Sequence, residues 1–154
     1  MTRVAATSRH LISNYGKSLA FDGSTNGVTL TGFKVSTTAF SILFTAKIRN
    51  FVNNDRILDQ QDSGPANGLT MVVASATNQV GFGLRNVGTS VALINSKSLN
   101  KGQWYRFIAT YEPNSAKFYV DGSLQGTDTA CTMTDSTAVL TIGKRIGGSN
   151  FANT

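Results

Sequence analysis

The stretch from Lys101 to Thr127, "KGQWYRFIATYEPNSAKFYVDGSLQGT", constrains the fold more than any other part of the chain. Glu112-Pro113-Asn114-Ser115 reads as a turn, because proline presets φ at the second position and asparagine tolerates a positive φ at the third. Asp121-Gly122 is a two-residue hairpin signal. Together they predict three antiparallel strands, over 103–111, 117–120 and 123–126. In the first, the two-residue period puts Trp104, Arg106 and Ile108 on one face and Tyr105, Phe107, Ala109 and Tyr111 on the other. Both faces carry apolar bulk, which describes a strand inside a layered β-protein. The rings are therefore assigned to packing, with Trp104, Phe107 and Tyr119 in the core, and Glu112 is read as a turn residue. Stacking of Trp104 on a sugar is the alternative to its core role.

The rest of the chain repeats the pattern. Short apolar runs fall at 18–21, 28–30, 40–48, 56–60, 69–74, 79–85, 91–94 and 139–142, separated by clusters of Gly, Asn, Asp and Ser. No stretch has the period of a helix. Phe40, Ile42, Phe44, Ala46 and Ile48 alternate with Ser41, Thr45 and Lys47, which places Ile42 and Phe44 in the core beside Phe21. Gln79–Arg85 alternates Val80, Phe82 and Leu84 with Gly81 and Gly83, leaving its second face bare. The expected fold is all-β, a two-sheet antiparallel sandwich.

At 154 residues the chain is long enough for a core without disulfides, and one cysteine, Cys131, leaves no internal pair to form. Cys131 reads as a small buried hydrophobe. Charged residues make up only 14% of the chain, and the net charge of +6 comes from a shortage of acids, with a single glutamate. The bases are scattered from Arg3 to Arg145 and form no patch or stripe, which argues against specific nucleic-acid binding. No apolar run approaches a membrane span. The first residues, "MTRVAATSRHLISNYG", lack the continuous apolar segment of a signal peptide. Residues 1–17 are expected to form an arm ahead of a domain over 18–154.

"WYRFIATY", the Pro-Asn turn and "KFYVDG" together resemble the laminin G-like members of the concanavalin A-like lectin/glucanase superfamily. "SLAFDGSTNGVTL" (18–30), "FSILFTAKI" (40–48) and "VLTIGKRIGGSNF" (139–151) resemble further strands of that family, in the same order. The resemblance implies a jelly roll that binds glycans or proteins at rim loops or on a sheet face, with calcium as a possible cofactor in some members. It also implies a last strand beyond the Gly-rich loop, which this sequence does not show. The expectation is a sheet with an open edge, filled by strand donation from the arm over 1–16 or from another subunit through self-association.

The inventory of reactive groups is poor. Glycoside hydrolysis commonly uses two facing carboxyl groups. Glu112 sits at a turn, and Asp55 and Asp59, which would share a strand face, would have Cα atoms about 13 Å apart. His10 and Cys131 are too few for zinc. Lys144-Arg145 does not complete a P-loop. The expectation is no enzyme. Asp22, beside Gly23 and near Asn26, is the candidate metal ligand, with a plain Asp-Gly turn as the simpler reading. Arg85, Asn86 and Arg106 are the candidate ligand-binding residues on a polar sheet face, and the loops at 62–68 and 147–153 are candidate binding loops. The partner expected is a glycan or a surface protein. The site of action expected is extracellular or at a virion surface, in a non-catalytic module such as a lectin-like adhesion domain or a phage structural protein.

Overall fold

In the computed structural model, the described residues are 11–13, 16–22, 26–53, 55–61, 67–74, 76–86 and 89–144. Side chains of 11–13, 16–17 and 89–91 are excepted. Twelve strands and no helix occur among them: β1 (Leu11–Ser13), β2 (Gly16–Ser18), β3 (Val28–Leu30), β4 (Phe40–Lys47), β5 (Arg56–Gln61), β6 (Gly68–Ala74), β7 (Gln79–Asn86), β8 (Thr89–Asn95), β9 (Trp104–Glu112), β10 (Ser115–Val120), β11 (Ser123–Asp128) and β12 (Leu140–Ile142). They form a six-stranded sheet, β3-β12-β5-β6-β7-β8, and a four-stranded sheet, β11-β10-β9-β4, all antiparallel. This is the two-sheet sandwich that the alternation predicts.

The turns behave as their residues require. Asp121 and Gly122 both have positive φ, 50° and 82°, as a two-residue hairpin needs. Asn114 takes φ 63° at the third position of the Pro-Asn turn, and its amide donates to Cys131 O at 2.8 Å. Cys131 is fully buried, and its thiol is pushed up by burial and by the nearby Asp128 charge, which leaves it an unreactive packing residue.

The core lies between the two sheets. Leu69, Met71, Val73, Val80, Phe82 and Leu84 face Phe107, Ala109, Tyr111, Ala116, Phe118 and Val120. A run of rings crosses it. Phe44 stacks on Phe107 at 5.1 Å, Phe107 on Phe118 at 6.1 Å, and Phe118 meets Phe82 of the opposite sheet at 6.1 Å. Phe21 is buried against Gly143, where the ring fills the space a Cβ would take.

Three expectations about packing are corrected. Trp104 is 51% exposed, and Tyr119 is half-buried on the outer face. Both have the strand parity opposite to the core residues Tyr105, Phe107, Phe118 and Val120, so alternation turns them outward. The second face of β7 is not bare: a Cβ on Gly81 would lie 2.7 Å from Asn95 Oδ1, and one on Gly83 would lie 3.0 Å from Thr70 Cγ2. Ile42 and Phe44 face the core but stay half-buried.

That partial burial has a cause. Among the described residues β4 has no strand on its outer side. The described part of the N-terminal arm is not at that edge: β1 pairs with β2 in a separate two-stranded sheet, and residues 1–10 lie outside the described residues. The strand expected over 18–21 is also displaced, since β2 ends at Ser18.

Candidate functional site

The three candidate ligand residues do not come together. Arg85 and Asn86 stand on β7 of the six-stranded sheet, and Arg106 on β9 of the other. Asn86 serves the scaffold. Its Nδ2 donates to Thr132 Oγ1 at 3.3 Å and its Oδ1 accepts from Thr134 Oγ1, tethering that segment. Asp22 Oδ1 accepts from the Asn26 backbone amide at 3.2 Å. A calcium ion wants six to eight oxygens. Among the described residues no group of three His, Cys, Asp or Glu converges, and Gly23, beside Asp22, lies outside them. Residues 62–66 and 147–153 of the two candidate loops lie outside the described residues.

The six-stranded sheet holds a buried polar layer on its outer side. A bulge between Arg56 and Leu58 shifts the register, so that Arg56 opposes Val72 while Asp59 opposes Thr70. In a regular strand residues three apart face opposite ways; the extra residue brings these two to one face. Arg56 Nε then lies 3.7 Å from Asp59 Oδ1. Thr141 Oγ1 donates to Asp59 O at 3.1 Å, and Thr70 Oγ1 donates to Leu58 O at 3.4 Å. Gln60 has the other parity: its Nε2 donates to Phe33 O and Ala138 O, and its Oε1 accepts from Val35 N. These groups are buried and bonded inward, so they hold strands together and present little to a ligand.

The same bulge separates Asp55 from Asp59. Asp55 lies beside Val73, whose amide donates to its carbonyl at 2.9 Å, and is 4% exposed. Burial raises its carboxyl from 3.8 to about 6. Between those two values the folded chain holds a proton that the unfolded chain has released. Stability therefore falls as pH rises from about 4 to about 6 and is level above that. Asp55→Asn is expected to be more stable than the parent at pH 7 by on the order of 1–2 kcal/mol. The part of the parent's pH dependence that runs between pH 4 and 6 should vanish, as read from denaturation midpoints across pH.

The accessible polar groups are on the outer face of the four-stranded sheet, at the Pro-Asn turn. Ser41, Thr110 and Lys117 form one row across β4, β9 and β10, and Glu112 pairs with Ser115 in the next. They line a hollow of about 360 Å³ together with the backbone around Phe40 and Tyr111, whose own rings turn to the core side. Those rings lie 5.4 Å apart, and Tyr111 is pinned by Met133 N, which donates to its hydroxyl at 2.8 Å. Among the described residues the side chains of Ser41, Thr110, Glu112, Ser115 and Lys117 have no hydrogen-bond or ion-pair partner. One carboxylate, one ammonium and three hydroxyls thus converge on one hollow, on strands held rigid by the core.

Sequence reasoning assigned Glu112 to the turn and passed over the other four. The Pro-Asn turn alone fixes Glu112 opposite Ser115 and Thr110 opposite Lys117, so four of the five residues were placed by the hairpin. Ser41 joins only through the β4–β9 pairing, which links segments some seventy residues apart.

No curated protein sequence matches the chain. Solved structures do. Domain 4 of AbnA, a GH43 extracellular arabinanase from Geobacillus stearothermophilus solved with arabinotriose, is 13% identical with a TM-score of 0.71, covering 97% of this chain and 72% of that one. Domains LG4-5 of the mouse laminin α1 chain are 15% identical at a TM-score of 0.62, over 88% of this chain and 39% of that one. The carbohydrate-binding module CBM66 from Bacillus subtilis is 16% identical at 0.55, over 88% and 84%. At such identities the likeness is one of fold. A laminin G family profile matches residues 22–153, most of the chain, and the chain therefore belongs to the concanavalin A-like lectin/glucanases superfamily.

Proposed function

We propose that this chain is a non-catalytic module that binds carbohydrate through the hollow at the Pro-Asn turn. The observation that carries the reading is the set of five polar side chains around it that have no partner among the described residues. A polyol offers donors and acceptors in every direction. Hydroxyls, a carboxylate and an ammonium on one strand-built surface match that chemistry, and a pre-formed site loses little entropy on binding. Two relatives in fold, one solved with arabinotriose and one a carbohydrate-binding module, support the same class of ligand. Glu112 is the one carboxylate lining the hollow, and hydrolysis of a glycosidic bond commonly requires a pair, which supports binding without turnover. Such a module works outside a cell or on the surface of a particle.

The test is a glycan array, run with and without calcium, followed by titration of the bound glycan. Glu112→Gln and Lys117→Ala are each expected to weaken binding about tenfold or more, as loss of a charge-assisted hydrogen bond does. Retention of no glycan, or unchanged affinity in both variants, would end the reading.

The β4 edge favours a second role, self-association. Natural edges are blunted by bulges, charges or shortness. β11 and β8 each have a bulge in their pairing, and β3 is three residues long. β4 is eight residues long, unbroken in register, and bears its single charge at Lys47. Light scattering over a dilution series should show a dimer that dissociates; a monomer at every concentration would remove this role.

A further inference from the structure

We propose that the binding site does not stop at the hollow but continues along β9 to Trp104, so that the ligand is an extended stretch of a linear glycan and not a single terminal sugar. The proposal rests on the carbohydrate-binding reading and specifies the form of the ligand. Five residues of β9 face outward in line: Trp104, Arg106, Ile108, Thr110 and Glu112. At about 3.4 Å per residue they span about 27 Å, with a side chain every 6.8 Å or so. The hollow occupies the Glu112 end. At the other end the Trp104 indole is half-exposed on a face where burial would be favourable, with Lys47 Nζ 5.5 Å from its ring centroid. Between them lies the guanidinium of Arg106, which is exposed and, among the described residues, without a partner. Its backbone is fixed by the Asp121 turn, whose Oδ1 accepts from the Arg106 amide at 2.8 Å.

The middle of this track is apolar. Leu43, Ile108, Tyr119 and Leu124 are aligned across all four strands, and Leu43 and Leu124 are 65% and 53% exposed. Large apolar groups contiguous on an outer face mark an interaction surface. A protein partner would be served by apolar area alone. The alternation seen here, with a stacking ring, a free donor, an apolar floor and then a hydroxyl-lined hollow, suits a chain whose units present a C–H face and a hydroxyl edge in turn. An aromatic ring is a good platform for such a face, and a cation poised beside it adds a donor for the edge.

The experiment uses an array of linear polysaccharide fragments, each backbone present as a disaccharide and at longer lengths, probed with the full chain and with Trp104→Ala and Arg106→Ala. Both residues are exposed, so both variants should fold as the parent does, checked by circular dichroism. The expected result is that long fragments bind about tenfold more tightly than the disaccharide, and that Trp104→Ala brings them down to the disaccharide level while leaving disaccharide binding unchanged. Equal binding of short and long fragments, or no effect of either variant on the long ones, would overturn the extended track and leave the hollow standing. Binding to no fragment would overturn both.

Discussion

Replacing Phe118 with alanine is expected to lower the folding free energy by about 3–5 kcal/mol, the range for truncating a fully buried phenylalanine. Phe118 has no exposed surface, stacks on Phe107 within its own sheet and touches Phe82 of the other. The two sheets meet through rings here and at Phe40, whose ring meets Phe82 edge-on at 6.4 Å. The hole left by the Phe118 side chain is bounded by strand backbones that are hydrogen-bonded on both sides, since β10 lies between β9 and β11, so collapse into the hole is limited. Phe40→Ala, at the half-buried end of the same ring system, should cost distinctly less. Denaturant midpoints at constant slope decide the matter. Equal losses at the two positions would show that the sheets are not joined through the central rings.

Gly68→Ala is the second large effect. Gly68 has φ +108°, and a Cβ there would lie 1.9 Å from Gln60 O and 3.0 Å from Ser136 Cβ. The first contact is with the backbone of the neighbouring strand β5, which cannot rotate away. The expected loss is on the order of 3 kcal/mol or more, through conformational strain and steric clash together. Gly32→Ala separates the two causes. Gly32 also has positive φ, +75°, but nothing lies within 4 Å of its Cβ position, so only the backbone term of about 1 kcal/mol should be lost. Similar losses at the two glycines would show that the β5–β6 contact is looser than described.

Much of this architecture was legible in the sequence because its strands are short, alternating and punctuated. The meander from Trp104 to Asp128 could be drawn from a Pro-Asn turn and an Asp-Gly turn alone, and the structure pairs Glu112 with Ser115 and Val120 with Ser123 as those turns demand. What could not be read was which face of a two-sided apolar strand goes inward. Trp104 and Tyr105 are adjacent and both aromatic, and only packing against a sheet remote in sequence buries the second and exposes the first. The bulge in β5 was equally silent. Simple alternation along Asp55-Arg56-Ile57-Leu58-Asp59 pairs the two aspartates on a face, whereas the shifted register gives Asp59 an arginine for a neighbour and leaves Asp55 beside Val73. The candidate site is hidden for a related reason. Its polar residues are ordinary Ser, Thr, Glu and Lys, with nothing in type or spacing to mark them. They acquire meaning when three strands place them around one hollow.

The most direct test of that arrangement is a titration of the protein's amide resonances with the glycan bound most tightly on the array. Saturating shifts concentrated at residues 39–41 and 110–117 are expected. Shifts confined to β5, β6 and β7 of the opposite sheet, or no shift at saturating glycan, would contradict the proposed site.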